Sequence, residues 1–120
     1  MDIRIKTTDY SMPLEVADYL DQRIAAVEKL LSDDAATARC EVEVGRAAGH
    51  SQQGDVWRAE FIVIREGERS VAVATGESVN AAIDLAKDEI LQQLRKNKGR
   101  NQTLAKRLGG RFKKWTRLGE

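Results

Sequence analysis

The sequence predicts an α+β domain of order β-α-β-β-β-α: a four-stranded sheet with two helices on one face. Three observations lead there. Several short segments alternate apolar with charged residues, the period of a half-buried strand. Two longer segments repeat apolar residues every three or four positions, the period of an amphipathic helix. Each helical segment has a single apolar stripe, so both should cover the same side of the sheet.

The elements follow in order. Asp2 to Thr7 alternates Ile3 and Ile5 with Arg4 and Lys6, a half-buried first strand. Ser11 suits a helix N-cap and Pro13 the first turn. Val16, Leu20, Ile24, Val27 and Leu31 then mark a helix from about Pro13 to Leu31, ended by Ser32-Asp33-Asp34. Cys40, Val42 and Val44 alternate with Arg39, Glu41 and Glu43 in a second strand. Gly45 to Asp55 is a Gly-rich polar loop. Trp57, Ala59, Phe61 and Val63 define the inner face of a third strand, with Arg58, Glu60, Ile62 and Ile64 opposite. Gly67 lies in a short turn, and Val71 and Val73 mark a fourth strand. Ser78 can cap a second helix whose inner face is Val79, Ile83, Ala86, Ile90 and Leu94, running to about Lys98 and stopping near Gly99. Short links make strands two to four an antiparallel meander. The first helix is a crossover that sets strand one parallel to a neighbour. The open face then carries Arg4, Lys6, Arg39, Glu41, Glu43, Arg58 and Glu60, whose mixed signs suit cross-strand ion pairs.

Charge divides the chain in two. Residues 1–94 carry 10 Lys+Arg against 18 Asp+Glu, a net of −8, whereas residues 95–120 carry 10 Lys+Arg against one acid, Glu120, a net of +9. The division expected is an α+β body over 1–98 and a basic, aromatic-containing tail over 99–120. Such a tail is suited to a polyanion, nucleic acid first. Arg95, Lys96, Lys98 and Arg100 cluster at the end of the second helix, where they also complement the helix dipole. The dipole does not account for Lys106, Arg107, Arg111, Lys113, Lys114 and Arg117. Arg107, Arg111, Lys114 and Arg117 recur every three or four residues and would form a ribbon along a helix, while Phe112 or Trp115 could stack on an unpaired base. The competing structural reading has Leu104, Leu108, Phe112 and Trp115 folding back over Ile62 and Ile64.

Chemistry finds little purchase. One histidine, His50, and one cysteine, Cys40, supply no ligand-spaced cluster, so no metal and no cofactor are expected. Cys40 sits in a strand pattern as a small core residue, and a single cysteine excludes an intramolecular disulfide. No GxSxG surrounds a serine, and the loop from Gly45 to Gly54 lacks the Gly-Lys-Ser/Thr of a phosphate loop. Glu41, Glu43, Glu60, Asp84, Asp88 and Glu89 fall on solvent faces. The expectation is a non-enzyme without a small-molecule substrate. No signal peptide and no run long enough to span a bilayer is visible, so a cytoplasmic protein is expected, with no membrane partner.

Gly54-Asp55-Val56-Trp57-Arg58-Ala59-Glu60-Phe61 resembles the "GDxxRAEV" strand of the ribosome hibernation promoting factors, the protein Y family. Ala81-Ala82-Ile83-Asp84 followed by Gln93-Leu94-Arg95-Lys96-Asn97-Lys98 resembles their second helix, "AAID" then "QLxKxK". The resemblance covers roughly residues 1–100, and makes the body over 1–98 a ribosome-binding domain by implication. It implies a fold similar to a double-stranded RNA-binding domain. It implies a non-catalytic translation inhibitor that binds the small ribosomal subunit and its 16S-type RNA, in the channel of mRNA and of A- and P-site tRNA, and preserves idle ribosomes under stress. The matching basic positions are Lys96 and Lys98, with Lys29 and Lys87 as weaker additions. Glu89 and Gln92 stand where Lys and Arg are common, Asn80 where an aromatic often precedes AAID, and Ala25 and Ala26 where a Lys is frequent. The body is thus poorer in positive charge than the family pattern, and the tail is expected to compensate. The chain resembles the short type, expected to occupy single ribosomes and to be a monomer when free. The reading from another class is an interaction adaptor whose basic amphipathic tail binds a protein groove or an anionic membrane surface.

Overall fold

A computed structural model describes residues 1–47 and 56–108, with side chains as far as Asn97. The elements are β1 (Asp2–Thr8), α1 (Leu14–Leu31), a short 3-10 turn (Ser32–Thr37), β2 (Arg39–Arg46), β3 (Trp57–Arg65), β4 (Glu68–Gly76) and α2 (Val79–Leu108). The sheet order is β1-β2-β3-β4. β1 runs parallel to β2, and the two later pairings are antiparallel. This is the α+β arrangement expected from the alternation and the two stripes.

One face of the sheet is the core. Cys40, Val42 and Val44 of β2, Ala59, Phe61 and Val63 of β3, and Ala72 of β4 are buried beneath Leu20, Ile24, Val27 and Leu31 of α1 and Ala82, Ile83, Ala86, Ile90, Leu91 and Leu94 of α2. Phe61 is fully buried at the centre. Each enclosed Leu, Ile or Phe contributes about 1.5–3 kcal/mol of transfer free energy, which is why both stripes end on this face.

Three expectations are corrected, and one open point is settled. Ile3 and Ile5 share the core side of the sheet with Cys40 and Val42, their register partners, yet they are 44% and 45% exposed. The two helices lie over β2, β3 and β4 and leave β1, at this edge of the sheet, uncovered. The sequence left the faces of the fourth strand open: Val71 and Val73 face outward beside Ile62 and Glu60, because the ladder parity set by Phe61↔Ala72 puts Ser70 and Ala72 inside. Ser11 does not cap α1: Pro13 occupies the cap, with no side-chain hydrogen bond. α2 does not stop near Gly99 but continues to Leu108. A glycine inside a helix costs about 1 kcal/mol, and the Lys, Arg, Gln, Leu and Ala around it are strong helix formers.

Two glycines are dictated by geometry. Gly67 closes the β3–β4 hairpin at φ +69°, a region that only glycine enters freely. Gly45 lies against the Thr8 main chain, where any Cβ would collide with the carbonyl. The loop residues 48–55, including His50, and the tail from Gly109 lie outside the described residues.

Candidate nucleic-acid interface

The sheet and α1 fix the course of α2. Ser78 Oγ accepts from the Ala81 amide at 3.1 Å and starts the helix, as its position predicts. Gly76 lets the first turn press onto the end of β4: a Cβ there would meet the Ala82 nitrogen at 2.8 Å. Further along, Gln93 Nε2 donates to the Val71 carbonyl at 2.8 Å and Asn97 Nδ2 to Ser70 Oγ at 3.4 Å. α2 therefore runs antiparallel to β4. Since α1 runs antiparallel to β1 and β2, the two helices are parallel to each other and aim their C-termini at the same end of the molecule.

A side-chain lock joins them. Arg23 Nε donates to Asp84 Oδ1 at 2.9 Å, and the guanidinium lies 4.1 Å from the centre of the Tyr19 ring. Burial alone would push the Asp84 carboxyl up; hydrogen bonds from Tyr19 and Arg23 and the charges of Arg23 and Lys87 outweigh it, and the net shift is downward. At the common end, Arg65 pairs with Glu68 at 3.1 Å and Asp34 at 3.3 Å, tying the hairpin to the turn after α1.

The predicted cations distribute unevenly on this frame. Arg95 and Lys96 are exposed on α2. Lys98, Arg100, Lys106 and Arg107 belong to the same helix, so the rod from 95 to 107 carries six cations and no acid over about 18 Å. Lys29 is exposed in the last turn of α1, at the same end. Lys87 is less available: its Nζ lies 2.6 Å from Asp88, and its side chain is 19% exposed. Arg111, Lys113, Lys114, Trp115 and Arg117 lie outside the described residues.

The surface around the two helices has the opposite sign. Glu15, Asp18, Asp21 and Glu28 of α1, Asp33 and Asp34 of the turn, and Asp88 and Glu89 of α2 are all exposed. A polyanion is repelled by this layer and attracted to the far part of α2. The open face of the sheet is mixed. Arg39 lies 3.3 Å from Asp2 and 3.6 Å from Glu41, Arg58 lies 3.3 Å from Glu60, and Thr8 Oγ1 donates to Glu43 at 2.5 Å. A shallow concavity of about 370 Å³ lies there, lined by Arg4, Lys6, Glu41, Glu43, Glu60 and Ile62 among others. Among the described residues no group of three or more His, Cys, Asp or Glu side chains could hold a metal ion, and no helix is long and apolar enough to cross a membrane.

Sequence reasoning missed a third cluster, at the opposite end. Trp57 packs edge-on to Tyr10, with centroids 5.1 Å apart, and Arg46 lies 4.8 Å from its ring centre. The signal was the Arg46↔Trp57 register at the mouth of the β2–β3 hairpin, which alternation fixes once the loop length is known. Cys40 is fully buried, and burial above all, with the nearby Glu41 charge, pushes its thiol up to about 12.

The fold is thus a mixed four-stranded sheet covered on one face by two helices, the second continued by a cationic stretch. Residues 3–102 match the family model for "Sigma 54 modulation protein / S30EA ribosomal protein", and the chain belongs to that family. The resemblance to the protein Y family thus holds. Among solved structures the chain is similar to the Thermus thermophilus Protein Y N-terminal domain, at 21% identity and a TM-score of 0.64, covering 80% of this chain and 98% of that one. It is also similar to a ribosomal subunit interface protein from Coxiella burnetii, at 12% identity and a TM-score of 0.66, covering 82% and 99%. At these identities the likeness speaks for the fold. A comparison with curated proteins gives no match.

Proposed function

We propose that this protein is a non-catalytic, ribosome-associated translation inhibitor of the cytoplasm. It occupies the small subunit along the path of mRNA and of A- and P-site tRNA and preserves idle ribosomes under stress. The observation that carries this reading is the acid-free cationic stretch of α2 set on a family fold whose own helical layer is acidic. Phosphates of 16S-type RNA meet Arg95, Lys96, Lys98, Arg100, Lys106 and Arg107, with Lys29 beside them. The basic tail, with Arg111, Lys113, Lys114 and Arg117 and a stacking Trp115, extends the contact. Inhibition is steric: the bound body stands where substrates must pass. In this reading a body over 1–98 docks and a basic tail over 99–120 extends the contact, the division resting on the charge change near residue 95.

Co-sedimentation with purified small subunits over a salt series, with and without excess mRNA and initiator tRNA, tests the reading. Saturation near one copy per subunit, abolished on adding both competitors, is expected. Binding indifferent to the competitors rejects the decoding channel in favour of a peripheral RNA contact. No pelleting at moderate salt rejects the ribosome and favours an adaptor that uses its basic tail on a protein groove or an anionic membrane.

A further inference from the structure

β1 is an exposed edge. All seven of its residues are exposed, including two isoleucines on the core side. The Asp2 amide donates to the Ala38 carbonyl at 3.0 Å, so the even-numbered residues of β1 turn their main-chain groups toward β2. Ile3, Ile5 and Thr7 turn theirs away from the sheet. Natural edge strands are blunted by proline, bulges, coverage or edge charges, lysine above all. This one has no proline and pairs with β2 without interruption from Asp2 to Thr8; its only such guard is charge, Arg4 and Lys6, and for Lys6 no ion pair is found among the described residues.

We propose that β1 pairs antiparallel with β1 of a second copy of this chain, about a two-fold axis through Arg4 and perpendicular to the sheet, so that one sheet runs through both copies. In that register Ile3 faces Ile5 of the other copy on both sides of the axis, through the main-chain groups left free at the edge. Asp2 faces Lys6 twice, an opposite-charge pair on the open face. Arg4 meets its own counterpart, softened by Asp2 at 3.3 Å. An axis through Ile5 would instead set Arg4 against Lys6 twice, and an axis through Ile3 would pair only Ile3 with Ile3 among the free edge groups of the strand. The interface is small beside standard ones of about 1,600 Å², so the pair is weak and forms only at high concentration. A free monomer, the state expected from the sequence, is then the dilute limit.

Sedimentation equilibrium of the full chain, from about 10 µM to about 1 mM, tests this in about 0.5 M salt, where charge-driven association is screened. The mass should rise from one copy toward two. Ile5→Lys, at an exposed position and checked for folding by circular dichroism, should remain a monomer throughout. Arg4→Cys should form a disulfide-linked dimer on mild oxidation, because residues on the axis form a non-hydrogen-bonded pair about 4.5 Å apart at Cα, within disulfide reach. The buried Cys40 need not be replaced. Lys6→Cys, away from the axis, should not link. A chain that stays monomeric at about 1 mM, an Ile5→Lys variant that dimerises unchanged, or equal linking by the two cysteine variants would overturn the proposal.

Discussion

Asp84 and Cys40 show how one side chain's surroundings set its chemistry. Asp84 is held ionised by Arg23 and Tyr19, and its acidity exceeds that of a free carboxyl. A carboxyl depressed in the folded state stabilises fully above its unfolded value, near 3.9, and the stabilisation disappears as pH falls through the folded value. Asp84→Asn should therefore lower the thermal midpoint near neutral pH, with the difference from the natural chain shrinking below about pH 4. Melting curves from pH 7 to pH 2 check this; a difference constant with pH would mean that Asp84 acts only through packing. Cys40, with its thiol pushed up to about 12 and no exposed surface, should resist thiol reagents at pH 8 until the chain unfolds. Labelling across a urea titration should track the far-ultraviolet transition. The core position of Cys40 was legible from alternation alone. The Arg23–Asp84 lock was not, because it joins residues 61 apart in sequence and depends on how α1 lies across α2.

α2 is where pattern reading and structure diverge most usefully. Its apolar stripe from Val79 to Leu94 was legible because each position packs on the sheet. Its length was not: Gly99 reads as a stop, yet a single glycine in a helix is a cost of only about 1 kcal/mol. Gly99→Ala should raise helix stability by about 0.5–1 kcal/mol. It should increase helical circular dichroism and tighten binding to small subunits if the cations act from a preformed rod. Unchanged affinity with increased helicity would assign binding to the tail beyond Leu108. β1 taught the complementary lesson. Its alternation correctly announced a strand, but alternation does not report whether a helix reaches that edge, and Ile3 and Ile5 remain in water. The Val71 and Val73 faces were undetermined for a related reason: valines and alanines alternate with neighbours of similar polarity, so only the hairpin register decides the side.

The order of elements, a parallel neighbour for β1 and the shared helical face all followed from period and link length, since a meander and one crossover leave few topologies; that the neighbour is β2 came from the structure. The family followed from the strand and helix motifs. The distribution of charge needed the fold: in sequence the acids of α1 and the cations of α2 are far apart, while in space they share one layer. Removing residues 101–120 takes away six of the ten cations beyond residue 94 and leaves the described hydrogen bonds from α2 to the sheet intact. Binding to small subunits should weaken, and the slope of log affinity against log salt should flatten by about 0.7–0.9 for each phosphate no longer neutralised. A truncated chain that binds as tightly, with the same slope, would place the interface on the body.

The acid-free stretch of α2 also governs how an encounter begins. With one sign of charge gathered at one end and the other sign spread over the body, a polyanion exerts a torque before any contact forms, turning the cationic end toward it. Fewer collisions are then wasted on wrong orientations. Arrival should be fast in dilute buffer and slow steeply as ions are added, while departure, governed by contacts already made, changes far less.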